Sequence, residues 1–497
     1  MKIVHYFLLF ASIWIYSCKP DTLQTLPEFS YQVENIELPK GLTGETGAIE
    51  FLPDGRLVAC FLRGEVMIYD PKTKKWHLFA SGLHEPLGLL IIDEKEMLVM
   101  QRPELTRLKD TDGDGKADLF ETVTDEFGMS GNYHEWNYGP VKDQQGNLYI
   151  GLNTASEYGK VMPEVRGKLD TTLVPGKPLQ KFSAVPYRGW IMQITPGGKI
   201  LPYASGLRSP NGLVIDDLNR LFVNDNQGDW VGTSVLYQIE KDHFYGHPAS
   251  LLWKEGWNKG DPSKLPIPEL ESIRTKGCVL YPHGIIAASP SQPVIDRSGG
   301  KFGPFAGQIF VGEMNQERIL RVMMEEIGGQ LQGACLPFLD NHGLRKGNNR
   351  LAFASDGSLW VGQAQHGYAG DLGIQRIVYT GKSPMDIHTI HLLKDGFELT
   401  FTQPVSDSLP MDTSHFHFRH YYYDYHLKYG SDQYDVQDVA VSRVELSVDR
   451  KVIRLKLPVI KAGYVYELTL TDIFSEKGMV LQNKVICYTV NKLNDPL

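Results

Sequence analysis

Between Gly47 and Gly381 the chain alternates short apolar runs with tight polar turns on a loosely repeated plan. "GAIEFLPDGRLVACFLRGEVMIYD" is an apolar strand, an Asp-Gly turn, then further strands. "PLGLLIIDEKEMLVMQRPELTRLKD" follows the same logic, as does "YGPVKDQQGNLYIGLN" joined later by "GWIMQITPGGKILPYASGL". "PNGLVIDDLNRLFVNDNQGDWVGTSVLYQIE", "KFGPFAGQIFVGEMNQERILRVMM" and "NNRLAFASDGSLWVGQAQHGYAGDLGIQRIVYTG" are the fourth, fifth and sixth units. Each carries period-two apolar runs split by a D-G, Q-G or similar turn, which are hairpin signals. Recurrence every ~40 to 65 residues, with insertions of variable length, predicts a β-propeller. One such unit cannot bury both of its faces, so neighbours must stack and the ring must close. The predicted class is therefore all-β, with six blades over 41–382. Two stacked sandwiches would leave the recurring turn position unexplained.

From Met385 the pattern changes. "HTIHLLKDGFELTFTQPVSD" and "VSRVELSVDRKVIRLKLPVIKAGYVYELTLTDIFSEKGMVL" alternate apolar and polar positions without the blade-type turn. They predict a small immunoglobulin-like sandwich over 385–491. "HFHFRHYYYDYHLKYGSDQYD" interrupts them and, being polar and aromatic, is expected to be a long loop or edge.

Composition sharpens this picture. The 49 glycines and 24 tyrosines favour a turn-rich β protein. A net charge of -9 with no long basic run argues against nucleic acid as a partner. At the N-terminus, Lys2 precedes the apolar stretch "IVHYFLLFASIWIY", which ends at "IYSC". This looks like a bacterial lipoprotein signal over 1–18, with Cys18 lipidated and 19–40 serving as a tether. The expectation is export and a lipid anchor in the bacterial envelope, at the periplasm or cell surface. The remaining cysteines, Cys60, Cys278, Cys335 and Cys487, form no C-x-x-C. They give no case for structural zinc or attached haem, and sequence does not pair them.

Three sets of residues carry candidate chemistry. "DTDGDGKADLFE" matches the calcium-loop pattern, with Asp110, Asp112 and Asp114 as side-chain ligands and Lys116 through its carbonyl. Asp118 would act through water and Glu121 would be bidentate. Pro103 upstream and "LFETVTDEF" downstream favour strands over helices, so the loop predicts a structural calcium staple within a blade and not a sensor. His134 precedes the strand of the third unit by about a dozen residues, in a loop of the kind that faces a propeller's channel, and could serve as a general base. Arg208 occupies the equivalent loop one unit later. Arg350 in "GNNRLAF", and His366 and Tyr368 in "QAQHGYAGD", are placed at the same channel mouth. Trp136, Tyr138, Trp230 and Tyr245 are candidates for a stacking wall. No G-x-S-x-G, H-E-x-x-H or phosphate-binding loop occurs, which excludes the corresponding hydrolase, protease and nucleotide chemistry.

Here the chain resembles the soluble sugar and sorbosone dehydrogenases that use pyrroloquinoline quinone (PQQ), which are six-bladed propellers. "GLRSPNG", "NDNQGDW" and "HFYGHP" fall in order where that family has its arginine loop, its calcium-binding Q-G-P loop and its N-Y-G-W-P turn. The resemblance implies His134 as base, Arg208 as stabiliser of charge on the quinone, and Gln227, Gly228, Asp229 and Arg350 around PQQ and calcium. It departs at Ser209, at "DWVGTSVLY" in place of an acidic pair, and at Glu135-Trp136 in place of two glycines. The "DTDGDGKAD" loop, the "SPSQPVID…GGKFGPFAGQIFVGE" block and the segment after "QRIVYTGKSP" also resemble exported dehydrogenase-like propellers of environmental bacteria. Relatives of that kind are often joined to cytochrome c modules, so a separate cytochrome or other electron acceptor is an expected partner. Two function classes follow. One is a PQQ- and calcium-dependent oxidoreductase acting on a sugar, aldose or aldehyde. The other is a non-catalytic, surface-tethered propeller that binds glycan or a partner protein.

Overall fold

The computed structural model describes residues 29–170, 180–365, 370–409 and 412–494. Six four-stranded antiparallel units form a ring. Their innermost strands are Thr46–Phe51, Gly88–Ile91, Asn137–Lys142, Pro210–Ile215, Pro290–Ile295 and Asn348–Phe353, here the first strands of blades 1 to 6. Each packs against the next, and the last against the first, so the ring is closed. The turn that recurs in the sequence recurs in space. It joins first to second strands and is clamped by the same backbone bond, four residues apart, in five blades: Leu52 to Arg56, Ile92 to Glu96, Asp143 to Asn147, Asp216 to Arg220 and Ala354 to Ser358; in blade 5 the bond from Asp296 to Gln308 closes a longer loop.

Two expectations require correction. Residues 31–36 are not tether: Tyr31–Ile36 is the outermost strand of blade 6, antiparallel to Gly373–Tyr379. Tyr31 is buried there among Phe302, Phe338 and Tyr379, and its hydroxyl donates to Phe302 O at 3.0 Å. The ring is thus sealed by the chain's N-terminal strand, a pairing too distant in sequence to show as a local pattern. Nor is the run 415–435 merely loop or edge. Phe416–Tyr423 is an internal strand with Phe416, Phe418 and Tyr421 in the core. Its alternating burial is hidden in the sequence because histidine, arginine and tyrosine occupy the intervening positions.

The C-terminal sandwich shares a sheet with the ring. The third and fourth strands of blade 5, Ile319–Ile327 and Gln330–Phe338, have nine residues each, against five to seven in the third strands of the other blades. The outer one pairs with Val485–Val490, which makes an eight-stranded sheet. Met323, Ala334 and Leu336 of the blade belong to the same core as Phe397, Phe418, Tyr466 and Tyr488 of the sandwich. The buried Arg321–Asp386 pair, at 2.9 Å, adds a polar tie that Asn483 completes at 2.8 Å. The four cysteines Cys60, Cys278, Cys335 and Cys487 are buried thiols. Among the described residues no helix is long and apolar enough to cross a membrane. Cys18, His366 and Tyr368 lie outside the described residues.

Candidate functional site

The end of the ring at which the innermost strands begin gathers His134, Lys181, Arg208 and Asp229. His134 stands on the loop into blade 3, and that loop is rigidly braced. Asn132 Oδ1 accepts from the amides of His134 and Ser156, at 3.1 and 3.0 Å. Arg102 donates to the carbonyls of Asn132 and Tyr133. The buried Glu135 carboxylate accepts from Ser130 N at 2.8 Å and Ser130 Oγ at 2.7 Å, and Trp136 packs 5.3 Å from the imidazole. Glu135 and Trp136, the departures from the resembled pattern, therefore brace the histidine loop.

His134 Nδ1 lies 2.7 Å from Thr154 O. A carbonyl can only accept, so Nδ1 carries the proton and Nε2 is left as the basic atom. Burial, then Lys181 and Arg208, hold this imidazole well below its usual pKa, with the Thr154 carbonyl opposing. It is a neutral base.

Lys181 comes from an insertion between the second and third strands of blade 3, where Lys181–Phe182 pairs with Ala155–Ser156. Its Nζ donates to Ser156 Oγ at 2.8 Å and lies 3.4 Å from Glu157. Burial, reinforced by Arg208, lowers the ammonium to about 8. Arg208 precedes blade 4, and the Asp225 carboxylate fixes its backbone by accepting the Arg208 and Ser209 amides at 2.9 and 2.6 Å. Its guanidinium lies against Gly228, where a Cβ would overlap it, and 3.8 Å from Asp229. Arg208 Nε is buried without a hydrogen-bond partner. An exposed tyrosine flanks each of the three groups. Tyr133 is centred 6.0 Å from the His134 ring, Tyr158 6.0 Å from Lys181 Nζ and Tyr429 5.4 Å from the Arg208 guanidinium. These tyrosines are 43%, 65% and 46% exposed, so their rings are open to a ligand.

His134 and Arg208 thus share one site. The other residues expected beside them are placed differently. Asp229 is buried, and its carboxylate accepts from Lys181 N at 2.8 Å and lies 3.2 Å from His247. Burial works against its ionisation, but His247, Arg208 and the Lys181 amide outweigh that and hold it below the usual carboxylate range. Gln227 and Gly228 lie beneath a loop of the sandwich: Gly228 O accepts Gly430 N and Gly232 O accepts Ser431 N, both at 2.9 Å. Of the carbonyls that the resembled calcium loop would offer, Gly228 O and Asp229 O already accept the Gly430 and Val231 amides. Arg350 is not at this mouth. It crosses the channel, donating to Gly47 O at 2.7 Å and Asn211 Oδ1 at 2.9 Å, and stacks on Tyr138 at 5.0 Å. Together they line a 730 Å³ cavity along the inner strands, where burial lowers Arg350 to about 10. Trp136, Tyr138, Trp230 and Tyr245 are buried and form no common wall at the mouth: Tyr138 lines the channel cavity, and Trp230 and Tyr245 line a separate 380 Å³ pocket.

Sequence reasoning missed Lys181, which sits in an insertion without a recognisable pattern. It also missed Tyr429, because its aromatic-rich run reads only as a long loop or edge of the sandwich. The density of tyrosine there was the available signal.

The acidic loop closes the hairpin between Leu105–Lys109 and Leu119–Thr124 of blade 2. Ligand oxygens of Asp110, Asp112 and Asp114 lie within 4.8 Å of one another. Asp110 also accepts the Gly113 and Gly115 amides. Asp118 is turned to Thr111, through Thr111 N at 2.9 Å and Oγ1 at 2.6 Å. Glu121 is a correction: it lies in a strand opposite Arg107 and pairs with it at 2.6 Å, outside the carboxylate cluster. In a calcium hand the following helix brings this position back to the ion, whereas a strand carries it onward.

A domain of unknown function, DUF7133, matches residues 68–313, from the third strand of blade 1 to the second of blade 5. No curated protein matches the sequence. Among solved structures, the chain is similar to the PQQ-bound aldose sugar dehydrogenase of Streptomyces coelicolor (17% identity, 70% of this chain and 98% of that one, TM-score 0.46). It is also similar to the holo PQQ domain of pyranose dehydrogenase from Coprinopsis cinerea (12%, 70% and 95%, 0.47). A luciferin-regenerating enzyme is a third (14%, 71% and 96%, 0.43). The six-bladed ring rests on the strand pairing above and not on these likenesses.

Proposed function

We propose that the channel-mouth site binds a small carbohydrate and removes the proton from one of its hydroxyl groups during oxidation, as a sugar dehydrogenase would. The observation that carries this reading is the neutral His134, its Nδ1–H fixed on Thr154 O and its Nε2 left basic beside Lys181 and Arg208. A base so held accepts a proton without first losing one, and the two cations favour the alkoxide that develops opposite it. Asn132, Glu135 and Arg102 prevent the loop from reorienting, so little reorganisation is needed at the moment of transfer.

Such an oxidation requires a hydride acceptor. PQQ, which the Streptomyces and Coprinopsis proteins bind, is the candidate cofactor. Its carboxylates suit the charges of Lys181 and Arg208. When bound, the quinone would take the hydride. At Gln227–Asp229 the Gly228 and Asp229 carbonyls already accept amide hydrogens, so calcium is not assigned to that loop. Calcium is proposed instead at Asp110, Asp112 and Asp114, where it would offset the repulsion of three clustered carboxylates and stabilise the blade 2 hairpin. Export with Cys18 as the lipid anchor, and a separate electron acceptor, belong to the same proposal.

A second reading, a non-catalytic glycan- or protein-binding propeller, is favoured by one observation: the sandwich loop covers the segment that resembles a cofactor loop. Titration with PQQ, followed by dye reduction over a panel of aldoses, separates the two. Binding with sugar-dependent reduction that His134→Gln abolishes supports oxidation. Carbohydrate binding without PQQ uptake leaves the binding module.

A further inference from the structure

We propose that the sandwich builds part of the substrate site, with Tyr429 as the ring-stacking residue that selects the carbohydrate at the channel mouth. This rests on the carbohydrate reading above. Loops 227–232 and 424–431 are zipped together by backbone bonds: Trp230 N to His426 O at 3.0 Å, Gly430 N to Gly228 O at 2.9 Å and Ser431 N to Gly232 O at 2.9 Å. Asp229 and Tyr429 are bridge partners within that zipper. Gly430, with φ +66°, turns the loop in the left-handed region that favours glycine, and the Gln227 side-chain amide packs against it.

The two tyrosines of the loop divide the work. Tyr425 is the anchor: its hydroxyl donates to Gly246 O, and its ring packs 5.4 Å from Trp230 and 4.5 Å from the Arg274 guanidinium. Tyr429 makes no comparable commitment. It rests on Arg208, which Asp229 flanks on the propeller side, and 46% of it is open to solvent. A half-open ring held over a fixed cation, in a site already flanked by Tyr133 and Tyr158, suits the apolar C–H face of a saccharide ring while polar groups below reach its hydroxyls. The sandwich is therefore a wall of the propeller's site and not an independent module. The occupant it favours is a pyranose or short oligosaccharide presenting such a face.

The test is calorimetric binding of a mono- and oligosaccharide panel to the full chain without cofactor. Wild type, Tyr429→Ala and Tyr429→Phe are compared, with melting curves as a folding control. Expected are weakening of about tenfold for Tyr429→Ala and near-wild-type binding for Tyr429→Phe. Equal binding by wild type and Tyr429→Ala overturns this inference alone, as does a loss in Tyr429→Phe as large as in Tyr429→Ala. Absence of carbohydrate binding by the wild type overturns both this inference and the reading beneath it.

Discussion

Replacing Tyr31 by alanine should unfasten the ring. Tyr31 is 5% exposed and lies with its ring centre 5.0 to 5.4 Å from those of Phe302, Phe338 and Tyr379. Truncating a buried aromatic to alanine costs ~3–5 kcal/mol through lost transfer energy and the cavity left behind. Loss of the hydroxyl bond to Phe302 O adds ~1 kcal/mol. We therefore expect a loss of ~5 kcal/mol in denaturant-unfolding free energy, taken from midpoints at constant slope. Tyr31→Phe, which keeps the ring and loses only the hydroxyl bond, should cost ~1 kcal/mol. Gln32→Ala, on the exposed side of the same strand, should change stability by less than ~0.5 kcal/mol. A loss below ~1 kcal/mol for Tyr31→Ala, with the control equal to it, would refute the assignment of Tyr31–Ile36 as the closing strand.

Other expectations follow from the site and the acidic loop. Because burial, Lys181 and Arg208 keep His134 neutral to well below pH 6.5, the acid limb of kcat/KM should lie below that value. Lys181→Met removes a charge that disfavours the protonated imidazole, so the limb should move to higher pH; an unmoved limb counts against the coupling. If the carboxylate cluster holds calcium, chelation should lower the melting temperature, and Asp112→Ala with Asp114→Ala should remove that response. Binding at a hundredfold excess over Kd contributes ~2.7 kcal/mol. Membrane fractionation tests the proposed export and anchor: Cys18→Ser should leave the membrane fraction, and a wild type found only in the soluble fraction would rule the anchor out.

The blade repeat was legible because each hairpin turn is local. "PDG" at 53–55 and "SDG" at 355–357 announce bonds such as Leu52 to Arg56 and Ala354 to Ser358. What escaped is non-local. The partner of Tyr31 is Tyr379, and the continuity of blade 5 with the sandwich depends on Cys335 facing Cys487. The site divided the same way. His134 and Arg208 stand in the loops just before Asn137–Lys142 and Pro210–Ile215, and a loop ahead of an inner strand is what draws attention to them in the sequence. Lys181 reaches the site through an insertion, and Tyr429 through a loop from another domain, so no spacing rule could bring them there. Arg350 shows the opposite failure. It was assigned to the mouth from its blade position, but its third place in Asn348–Phe353 sets it inside the channel, where Gly47 O and Asn211 hold it.

The central claim is that His134 accepts a sugar hydroxyl proton as the sugar is oxidised. The most direct measurement is an anaerobic single-turnover mixing experiment, in which protein loaded with PQQ meets each aldose and bleaching of the oxidised quinone is followed optically. The account predicts sugar-dependent reduction in the wild type, slowed by ~10²- to 10⁴-fold in His134→Gln while PQQ and sugar still bind. Quinone that stays oxidised with every sugar, or equal rates in wild type and His134→Gln, would contradict it.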